Sequence, residues 1–300
     1  MNTSRNRHTP PYDYQYRFEI TKEFAGLRLI DFYKQRFPFK NENYWRGLIE
    51  NGDTSVNRQG TGPDYILKEK DLLHTVRHDV QEPDVNDRYK ILYDKNGILV
   101  IDKPAPLPVH PAGRFFKNSL TQILREKFPE KTIHTIHRLD LWTTGVLLLA
   151  TEEESAKFLH RQMEDGKIEK TYGVLARGDF GDKPFVIDRA IGRKNGAHRG
   201  FGDNITESKP CVTEFIPLAK KESVTFLKVK PLTGRTNQIR VHIQVAGGEV
   251  LNDPLYSQSP PKEEDIEFIG LHCREMRIKG RSGEALCFEA PWPKSFLPFV

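Results

Sequence analysis

The sequence predicts an α+β protein of two domains with a mostly antiparallel sheet, and three observations lead to this prediction. Its 300 residues suit one large or two modest domains. The Asn96-Gly97 dipeptide lies between two apolar runs, which is a strong signal for an antiparallel hairpin. Segments with helical apolar spacing occur among such strand-like runs, and a polar stretch with a proline at 82–87 separates a short N-terminal part from a longer C-terminal part.

Composition and charge narrow the class of protein without selecting one. The hydrophobic share is 37% and the formal net charge is +5, which suits a folded core and a mildly basic surface compatible with a phosphate-rich partner. No window approaches the ~20 apolar residues needed to span a bilayer, and the N-terminus lacks the apolar core of a secretory signal. Cys211, Cys273 and Cys287 are odd in number and far apart. We therefore expect no disulfide framework, no structural zinc and a reducing compartment, most simply the cytoplasm.

The N-terminal part predicts a small α+β module behind a polar lead-in. Residues 1 to about 16 are polar and contain Pro10-Pro11, so we expect them to form a poorly ordered lead-in. An apolar stripe at helical spacing, closed by Pro38, predicts a first helix. The members of this stripe are Leu27, Ile30, Tyr33 and Phe37. A second helix is expected at 44–49, because an Asn-Gly stop follows it, and then a short strand at 54–58.

The C-terminal part predicts a sheet with a few surface helices. The expected strands are at 91–101 (a hairpin), 146–150, 168–175, 207–215 and 225–230, and the expected helices are at 118–127 and 155–165. Residues 189–203 are glycine-rich and basic, which predicts an exposed loop. The stretch 238–245 is ambiguous. Its strict alternation favours a strand, whereas Thr236 as N-cap and Gly247-Gly248 as a stop favour a helix.

The segment His137-Arg138-Leu139-Asp140 places charged side chains on the loop that leads into the apolar run at 146–150. Such a continuous apolar run after a glycine is typical of a strand covered on both faces. Charged groups next to an apolar core need a partner or a task, because an unpaired ion in apolar surroundings is costly. Taken alone, the motif has a simpler interpretation, a turn whose aspartate caps backbone N–H groups.

Further motifs follow in the order typical of the RluA-type RNA pseudouridine synthases, which the sequence resembles from about Ile91 to its end. The segments that carry the resemblance are Lys103-Pro-Ala-Pro-Leu-Pro-Val-His110, His137–Asp140 with Thr143-Thr144-Gly145, Lys170-Thr-Tyr172, Thr233-Gly-Arg-Thr-Asn-Gln-Ile-Arg-Val-His242 and Asn252-Asp-Pro-Leu-Tyr256. Three residues depart from the family pattern, since Pro106 and Asn252 stand where glycine is frequent and Asn237 replaces the usual histidine. The resemblance also favours the helix at 238–245, which we therefore assign.

The resemblance implies an isomerase that converts uridine in RNA to pseudouridine by breaking the N1–C1′ bond and rejoining the base through C5. This reaction needs one ionised carboxylate and neither cofactor nor metal, and the sequence has no Walker loop, dinucleotide fingerprint or His/Cys ligand cluster. By the resemblance, Asp140 is the catalytic residue, as nucleophile or as base, and Arg235 is its counter-cation. Tyr172 is implied to stack on the uracil, and Arg138 to fill the space left by the flipped base.

The segment 21–81 resembles an S4-like RNA-binding module in which Arg46 and Arg58 contact phosphates, and a small packing domain is the alternative. The partner we expect is structured ribosomal or transfer RNA, bound by a monomeric protein with no membrane contact. The expected parts are an N-terminal extension at 1–20, the S4-like module at 21–81, a linker at 82–90 and a pseudouridine synthase catalytic domain at 91–300.

Two alternatives to the isomerase stay open on the sequence. A non-catalytic RNA-binding or ribosome-assembly protein on the same fold has no need of Asp140, Tyr172 and Arg235 together. A glycoside hydrolase requires two carboxylates that flank the scissile bond, and Glu152–Glu154, at the start of a solvated helix, are poor candidates for the second. Conversion of uridine in bulk RNA distinguishes the isomerase from a pure binding protein.

Overall fold

The structure, a computed structural model, describes residues 6–38, 40–195 and 198–300 of the chain. Its contacts divide these residues into two compact units. The small unit consists of His8–Asp84 with Gly113–Phe116, and the large unit consists of residues 6–7, Val85–Ala112 and Lys117–Val300. Among the described residues, no helix is both long and apolar enough to cross a membrane.

The small unit is a four-stranded antiparallel sheet with two helices. Its elements are β1 (Tyr12–Glu19), α1 (Leu29–Arg36), α2 (Glu42–Glu50), β2 (Thr54–Val56), β3 (Gln59–Gly60) and β4 (Leu72–Val80), with strand order β1-β4-β2-β3. Both helices lie where the sequence predicts them. Tyr33 of α1 and Trp45 of α2 are fully buried and stack with ring centroids 4.8 Å apart. The apolar stripes of the two helices therefore face each other.

Strand β1 lies in the segment for which the sequence suggested a lead-in. Aromatic residues occupy every second position from Tyr12 to Phe18 and are the more buried ones, while the residues between them are exposed. This period of two is the signature of a half-buried strand. The strand pairs with β4 from Tyr12 to Glu19, and its aromatic rings pack on the core of the small unit. The expectation of a poorly ordered lead-in is therefore wrong for residues 12–16.

The large unit is built on an eleven-stranded sheet and a separate three-stranded one. Its strands are β5 (Lys90–Lys95), β6 (Ile98–Lys103), β7 (His134–Thr135), β8 (Thr144–Ala150), β9 (Glu169–Arg177), β10 (Phe185–Asp188), β11 (Ile191–Asn195), β12 (His198–Gly200), β13 (Thr206–Lys209), β14 (Val212–Lys221), β15 (Val224–Pro231), β16 (Glu249–Val250), β17 (Leu271–Lys279) and β18 (Ala285–Glu289). The main path is β10-β14-β15-β9-β17-β8-β6-β5. Among the pairs of described strands, only β8 with β17 is parallel, so the predicted α+β, mostly antiparallel fold is confirmed.

The helices of the large unit are α3 (Leu120–Lys127), α4 (Glu153–Glu164) and α5 (Gln238–Val245), with short 3₁₀ turns at Glu263–Asp265 and Lys294–Phe299. The helix assigned at 238–245 is confirmed, but the residue that precedes it is Asn237, with φ of 57°, rather than Thr236. Residues Gln238–Ile243 are all buried. The apolar alternation in α5 thus reflects a helix enclosed on most sides, not a strand.

The exposed loop predicted at 189–203 contains two paired strands instead. β11 and β12 are antiparallel, with Gly192 opposite Gly200 and Arg193 opposite Arg199, and β13 pairs with the other edge of β11. Residues 196–197 of the predicted loop lie outside the described residues. The side chains of Arg193 and Lys194 are exposed, as the charge pattern indicated.

The predicted linker at 82–90 spans the division between the units, which falls after Asp84. Its last residue, Lys90, already belongs to β5. The segment Gly113–Phe116 groups with the small unit, a feature that the sequence did not predict. The flexibility of the linker stays a prediction.

Strand β8 is central to the large unit, and Val146–Ala150 are fully buried, as predicted. Gly145, with φ of 106°, precedes them, and a Cβ at this position would lie 2.1 Å from the carbonyl oxygen of Cys273 on β17. Glycine therefore allows β8 and β17 to approach as parallel neighbours. Since β9 is the other neighbour of β17, the loop 136–143 that leads into β8 enters the sheet close to β9.

Candidate active site

A cleft of about 960 Å³ opens where the loop 136–143 meets the start of β9 and the loop before α5. All four residues singled out from the sequence, Arg138, Asp140, Tyr172 and Arg235, line this cleft. The residues come from three separate stretches of the chain, and the fold brings them together.

Asp140 is held by an arginine that the sequence reasoning did not select. Its Oδ2 lies 2.8 Å from Nη1 of Arg240. The other side of the Arg240 guanidinium forms two hydrogen bonds to Asp253, with Nε to Oδ2 at 2.7 Å and Nη2 to Oδ1 at 2.6 Å. The side chain of Asp140 is 37% exposed, whereas those of Arg240 and Asp253 are 8% and 0% exposed. Arg240 is therefore fixed from behind and presents a charged N–H group to the reachable carboxylate.

Burial alone would lower the pKa of Arg240, but hydrogen bonds and charge from Asp253 and Asp140 raise the pKa above its ordinary value. The guanidinium therefore stays charged throughout the physiological range and holds this charge beside the Asp140 carboxylate. Tyr256 covers this guanidinium, with its ring centroid 4.8 Å from the central carbon. The ring contributes a cation–π contact to a charge that is almost fully buried.

The expectation that Arg235 is the counter-cation of Asp140 is wrong. Arg235 lies on the exposed loop before α5, and its Nε donates to the carbonyl oxygen of Pro210 at 3.3 Å. The sequence motif contains two arginines, and only the one inside α5 belongs to the buried face. Once a helix at 238–245 is assigned, Arg240 falls inside it next to apolar neighbours. That position was the signal for a buried, paired arginine, because such a charge needs a carboxylate partner.

The two asparagines that replace family residues both fit the site. Asn252 has φ of 58°, the left-handed conformation expected for it. The following Asp253 accepts from the backbone N–H groups of Leu255 and Tyr256, which closes the turn. Asn237 donates from Nδ2 to the Tyr256 hydroxyl at 2.9 Å and accepts from Arg240 at 3.2 Å. The local hydrogen bonds at Asn237 are therefore made in spite of the substitution.

Tyr172 lies on β9 between Val229 of β15 and Cys273 of β17 and is 8% exposed. Burial raises the pKa of Tyr172 well above its ordinary value, and the neighbouring Cys273 and the Asp140 carboxylate raise it further. The side chain is therefore a neutral phenol at physiological pH. Its ring lines the cleft close to the charge of Asp140, the arrangement needed for an aromatic face against a bound base.

Two side chains hold the loop that carries Asp140, the half-buried His137 and the fully buried Lys103. Nε2 of His137 accepts from the backbone N–H of Leu148 on β8 at 3.1 Å. Burial lowers the pKa of His137 to about 3, the charge of Lys170 acts in the same direction, and a hydrogen bond to the Arg138 backbone opposes them. The imidazole is therefore neutral and able to accept. It ties the loop to the central strand.

Lys103 is the second side chain that holds this loop, and it is fully buried. Its Nζ donates to the carbonyl oxygens of Pro104, Leu107 and Leu141 at 2.9, 2.8 and 3.3 Å. Burial lowers the pKa of Lys103 to about 7, against the opposing charges of Asp140 and Asp102. Leu141 directly follows Asp140, so this lysine joins the proline-rich loop to the catalytic one. The sequence motif included Lys103 but assigned it no role.

Arg138 contacts His110 of the proline-rich loop, with Nη1 2.9 Å from Nε2. Burial, and then the charge of Arg138, lower the pKa of His110 below its ordinary value. The imidazole is thus neutral at physiological pH and accepts from the guanidinium. This contact holds the exposed Arg138 at the rim of the cleft.

Among the residues that the structure describes, Asp140, Glu164, Glu169 and Glu214 line the cleft, and of these carboxylates Asp140 is the one that pairs with the buried Arg240. Glu152–Glu154 lie at the start of α4 and do not line the cleft. Among the described residues, one group has the spacing of metal ligands, Glu275, Cys287 and Glu289. It is largely exposed, and its members do not line the cleft. The arrangement can stabilise an ionised carboxylate beside an aromatic ring, which is what attack on a sugar or a base requires.

Comparison with known proteins agrees with this geometry. The family described as RNA pseudouridylate synthase matches residues 97–245. An uncharacterised RNA pseudouridine synthase of Synechocystis sp. is 31% identical over 83% of this chain and 83% of that protein. The mitochondrial tRNA pseudouridine(32) synthase of Saccharomyces cerevisiae is 28% identical over 84% of this chain and 55% of that protein. Several relatives are longer, and the chain spans 46% to 65% of their length.

A solved human structure, RNA Pseudouridylate Synthase Domain Containing 1, shares the fold. Its TM-score is 0.60 at 28% sequence identity, and the match covers 71% of this chain and 86% of that one. The predicted fold class of the catalytic part is thereby confirmed. With the Synechocystis relative matched over most of both sequences and the motif residues gathered in one cleft, this chain belongs to the RluA-type RNA pseudouridine synthase family.

Proposed function

We propose that the protein converts uridines in RNA to pseudouridine, with Asp140 as the reacting carboxylate. The observation that carries the proposal is the ion pair of Asp140 with Arg240, 2.8 Å long, in a cleft that Tyr172 also lines. A buried arginine that Asp253 also holds places its positive charge beside the carboxylate, and the exposed part of Asp140 faces the space that a nucleotide would fill. Neither feature is needed by a protein that only binds RNA.

In the proposed reaction the target uridine leaves its stack and enters the cleft, at a cost of a few kcal/mol. Tyr172 lies against the uracil, and Arg138 at the rim fills the vacated space between neighbouring bases. Asp140 attacks either C1′ of the sugar or the base, and the N1–C1′ bond breaks. The base turns, C5 bonds to C1′, and the bond between Asp140 and the substrate breaks, which frees the carboxylate. The proton lost from C5 is balanced by one gained at N1. The net change is an isomerisation.

The substrate class in this proposal is structured RNA, ribosomal or transfer. The yeast relative carries the name of a tRNA enzyme, which supports transfer RNA as one class. The +5 net charge suits a polyanion.

We also propose that the small unit is an S4-like module that adds affinity for RNA. Two helices against a small antiparallel sheet are compatible with this class. Arg58 is exposed in the turn between β2 and β3, where its guanidinium is available to a phosphate. Arg46, the other candidate, is 2.9 Å from Glu42 and 3.9 Å from Glu50. It is therefore the weaker of the two candidates.

Asp140→Asn tests the proposed function. The change keeps the shape of the side chain but removes its charge and nucleophilicity, so we expect no pseudouridine on any RNA that the wild-type protein modifies. RNA binding and the unfolding temperature should stay near wild type, because Arg240 keeps its buried partner Asp253. The readout is chemical mapping of pseudouridine in cellular RNA incubated with each protein. A wild-type protein that binds RNA but converts no uridine would support the non-catalytic alternative, and a fully active Asp140→Asn would contradict the role of this carboxylate.

A further inference from the structure

Lys170 is a cation in the cleft that the reaction described above does not use. It lies two residues before Tyr172 on β9, so both side chains are on the same face of the sheet. Lys170 lines the cleft and is partly buried. Its Nζ lies between two loops. The charge of Nζ acts on His137 of the catalytic loop, and a Cβ added at Gly234 in the loop before α5 would be 3.7 Å from it.

The ammonium group of Lys170 has no anionic partner among the described residues. Its one hydrogen-bond contact is the thioether sulfur of Met163 at 3.9 Å, and a thioether is a weak acceptor. Glu164 and Glu169 also line the cleft, but neither forms an ion pair with it. Burial lowers the pKa of Lys170 below its ordinary value, with a small opposing contribution from Cys273. The molecule therefore holds a partly desolvated charge at a cost that no described side chain offsets.

Of the other cations that line the cleft, which also include Arg235 and Lys230, two are paired with side chains. Arg240 is neutralised by two carboxylates, and Arg138 donates to His110. Lys170 instead faces the open space between two loops, where a ligand anion would complete its coordination. Because Gly234 has no side chain, the backbone of the loop before α5 lies close to Nζ. A nucleotide whose base lies against Tyr172 brings a phosphate on each side of its sugar.

We propose that Lys170 and the backbone at Gly234 form a phosphate subsite for the RNA strand beside the target uridine. The ammonium group contributes a point-charge contact to one phosphodiester, and so holds the nucleotide while its base lies against Tyr172. This inference rests on the proposed function, because the ligand is the RNA substrate. Lys170 is a binding and positioning residue in this role and does not react.

The first test measures the salt dependence of binding to an end-labelled RNA hairpin with uridines in its loop. All proteins carry Asp140→Asn, so binding is measured without turnover. Lys170→Met keeps the aliphatic stem and removes the charge. We expect Lys170→Met to bind about tenfold more weakly. The salt slope, meaning the magnitude of the slope of log binding constant against log salt concentration, should be smaller by roughly 0.7 to 1, as for the loss of one phosphate contact. Lys170→Arg should retain the slope.

Lys228→Met is the matched control. Lys228 is on β15 opposite Gly173, on the other face of the same sheet, and lines a different pocket. Its loss changes the net charge equally, so an equal drop in slope would mean that only the overall charge matters and would overturn the subsite. An unchanged slope in Lys170→Met would overturn it too. Unfolding temperatures of all variants identify any that fail to fold, and Lys170→Gln then serves in place of Lys170→Met.

The second test locates the phosphate. Loop phosphates of the hairpin are replaced one at a time by methylphosphonate, which keeps the linkage but removes the charge. At one position, adjacent to the target uridine, the effects of the replacement and of Lys170→Met on the binding free energy should not be additive, because both changes remove the same contact. Additive effects at every position would contradict the subsite. Uridine conversion by the wild-type protein is measured separately, so failure of the proposed function and failure of this inference give different results.

Discussion

The ion pairs of the small unit and the ion pair beside the cleft of the large unit differ in how exposed their side chains are. In the small unit, Arg28 with Asp31 and Arg46 with Glu42 form ion pairs whose side chains are 34% to 49% exposed. In the cleft of the large unit, Arg240 and its partner Asp253 are almost fully buried. Exposed pairs are worth between zero and ~1 kcal/mol because water screens them. A buried pair must overcome desolvation, so its presence is weak evidence for stability and stronger evidence for a task.

The largest effect should come from breaking the buried network. Arg240→Leu leaves the fully buried carboxylate of Asp253 without its arginine partner, which should cost about 3–5 kcal/mol of unfolding free energy. Turnover should be lost as well, because Asp140 loses its counter-charge. The matched control is Arg235→Leu, which removes an exposed arginine of the same motif. It should unfold within ~0.5 kcal/mol of wild type and retain turnover at saturating RNA.

Urea unfolding and single-turnover conversion of a uridine-containing RNA measure both quantities. The double variant Arg240→Leu with Asp253→Leu should recover part of the stability, because two apolar side chains leave no unpaired buried charge. It should recover none of the activity, because Asp140 still lacks the positive charge of Arg240. Loss of turnover in Arg235→Leu with normal turnover in Arg240→Leu would reverse the roles assigned here.

The next largest effect is expected at Lys103, which holds the loop that carries Asp140. Lys103→Met removes the donor to Leu141, and a catalytic loop displaced by about 1 Å can lose on the order of a hundredfold in rate. A pH series checks the cause. The pKa of Lys103 is lowered from 10.5 to about 7 in the folded protein. Between those values the unfolded chain binds more protons, so the contribution of Lys103 to stability rises with pH across that window.

The wild-type unfolding free energy minus that of Lys103→Met should therefore increase from about pH 7 to about pH 10.5. Chemical denaturation at several pH values measures this difference. A difference that stays flat across the window would mean that Lys103 keeps its ordinary pKa and is less isolated from water than its burial indicates.

A smaller effect is expected at the rim of the cleft. His110→Ala removes the acceptor of Arg138, while His110→Gln keeps an amide oxygen that can accept. We expect His110→Ala to slow base flipping a few-fold, as for one charge-assisted contact partly replaced by water, and His110→Gln to stay closer to wild type. Fluorescence of 2-aminopurine beside the target uridine reports flipping. Equal behaviour of the two variants would argue against an acceptor role.

The smallest effect should separate two arginines of the small unit. Arg58 is exposed in a turn, so Arg58→Gln should reduce the salt slope of RNA binding by roughly 0.7 to 1 if it contacts a phosphate. Arg46 is balanced by Glu42 and Glu50, so Arg46→Gln should change the slope less, and stability by at most ~1 kcal/mol. No change in slope from either variant would favour the small packing domain over an RNA-binding module.

Much of the local structure followed from the sequence alone. The run Val146–Ala150 predicted a buried strand, and Asn96-Gly97 predicted the hairpin of β5 and β6, because burial and turn chemistry act over a few residues. The motif order also selected Asp140 and Tyr172, which lie in one cleft. Strand β1 is not among the predicted strands, although its aromatic residues alternate in the sequence, because the polar residues and two prolines of this segment indicated a poorly ordered lead-in.

The partner of Asp140 was decided by the tertiary structure. Arg235 and Arg240 stand in one motif, and chain spacing does not say which of them faces a carboxylate 100 residues earlier. The direction of α5 and the turn at Asn252-Asp253 decide it, because they bury Arg240 against Asp253 and leave Arg235 on an exposed loop. Local patterns record which residue types a segment carries. Pairing of charges depends on burial and distance, which exist only once β8, β9 and α5 have packed together.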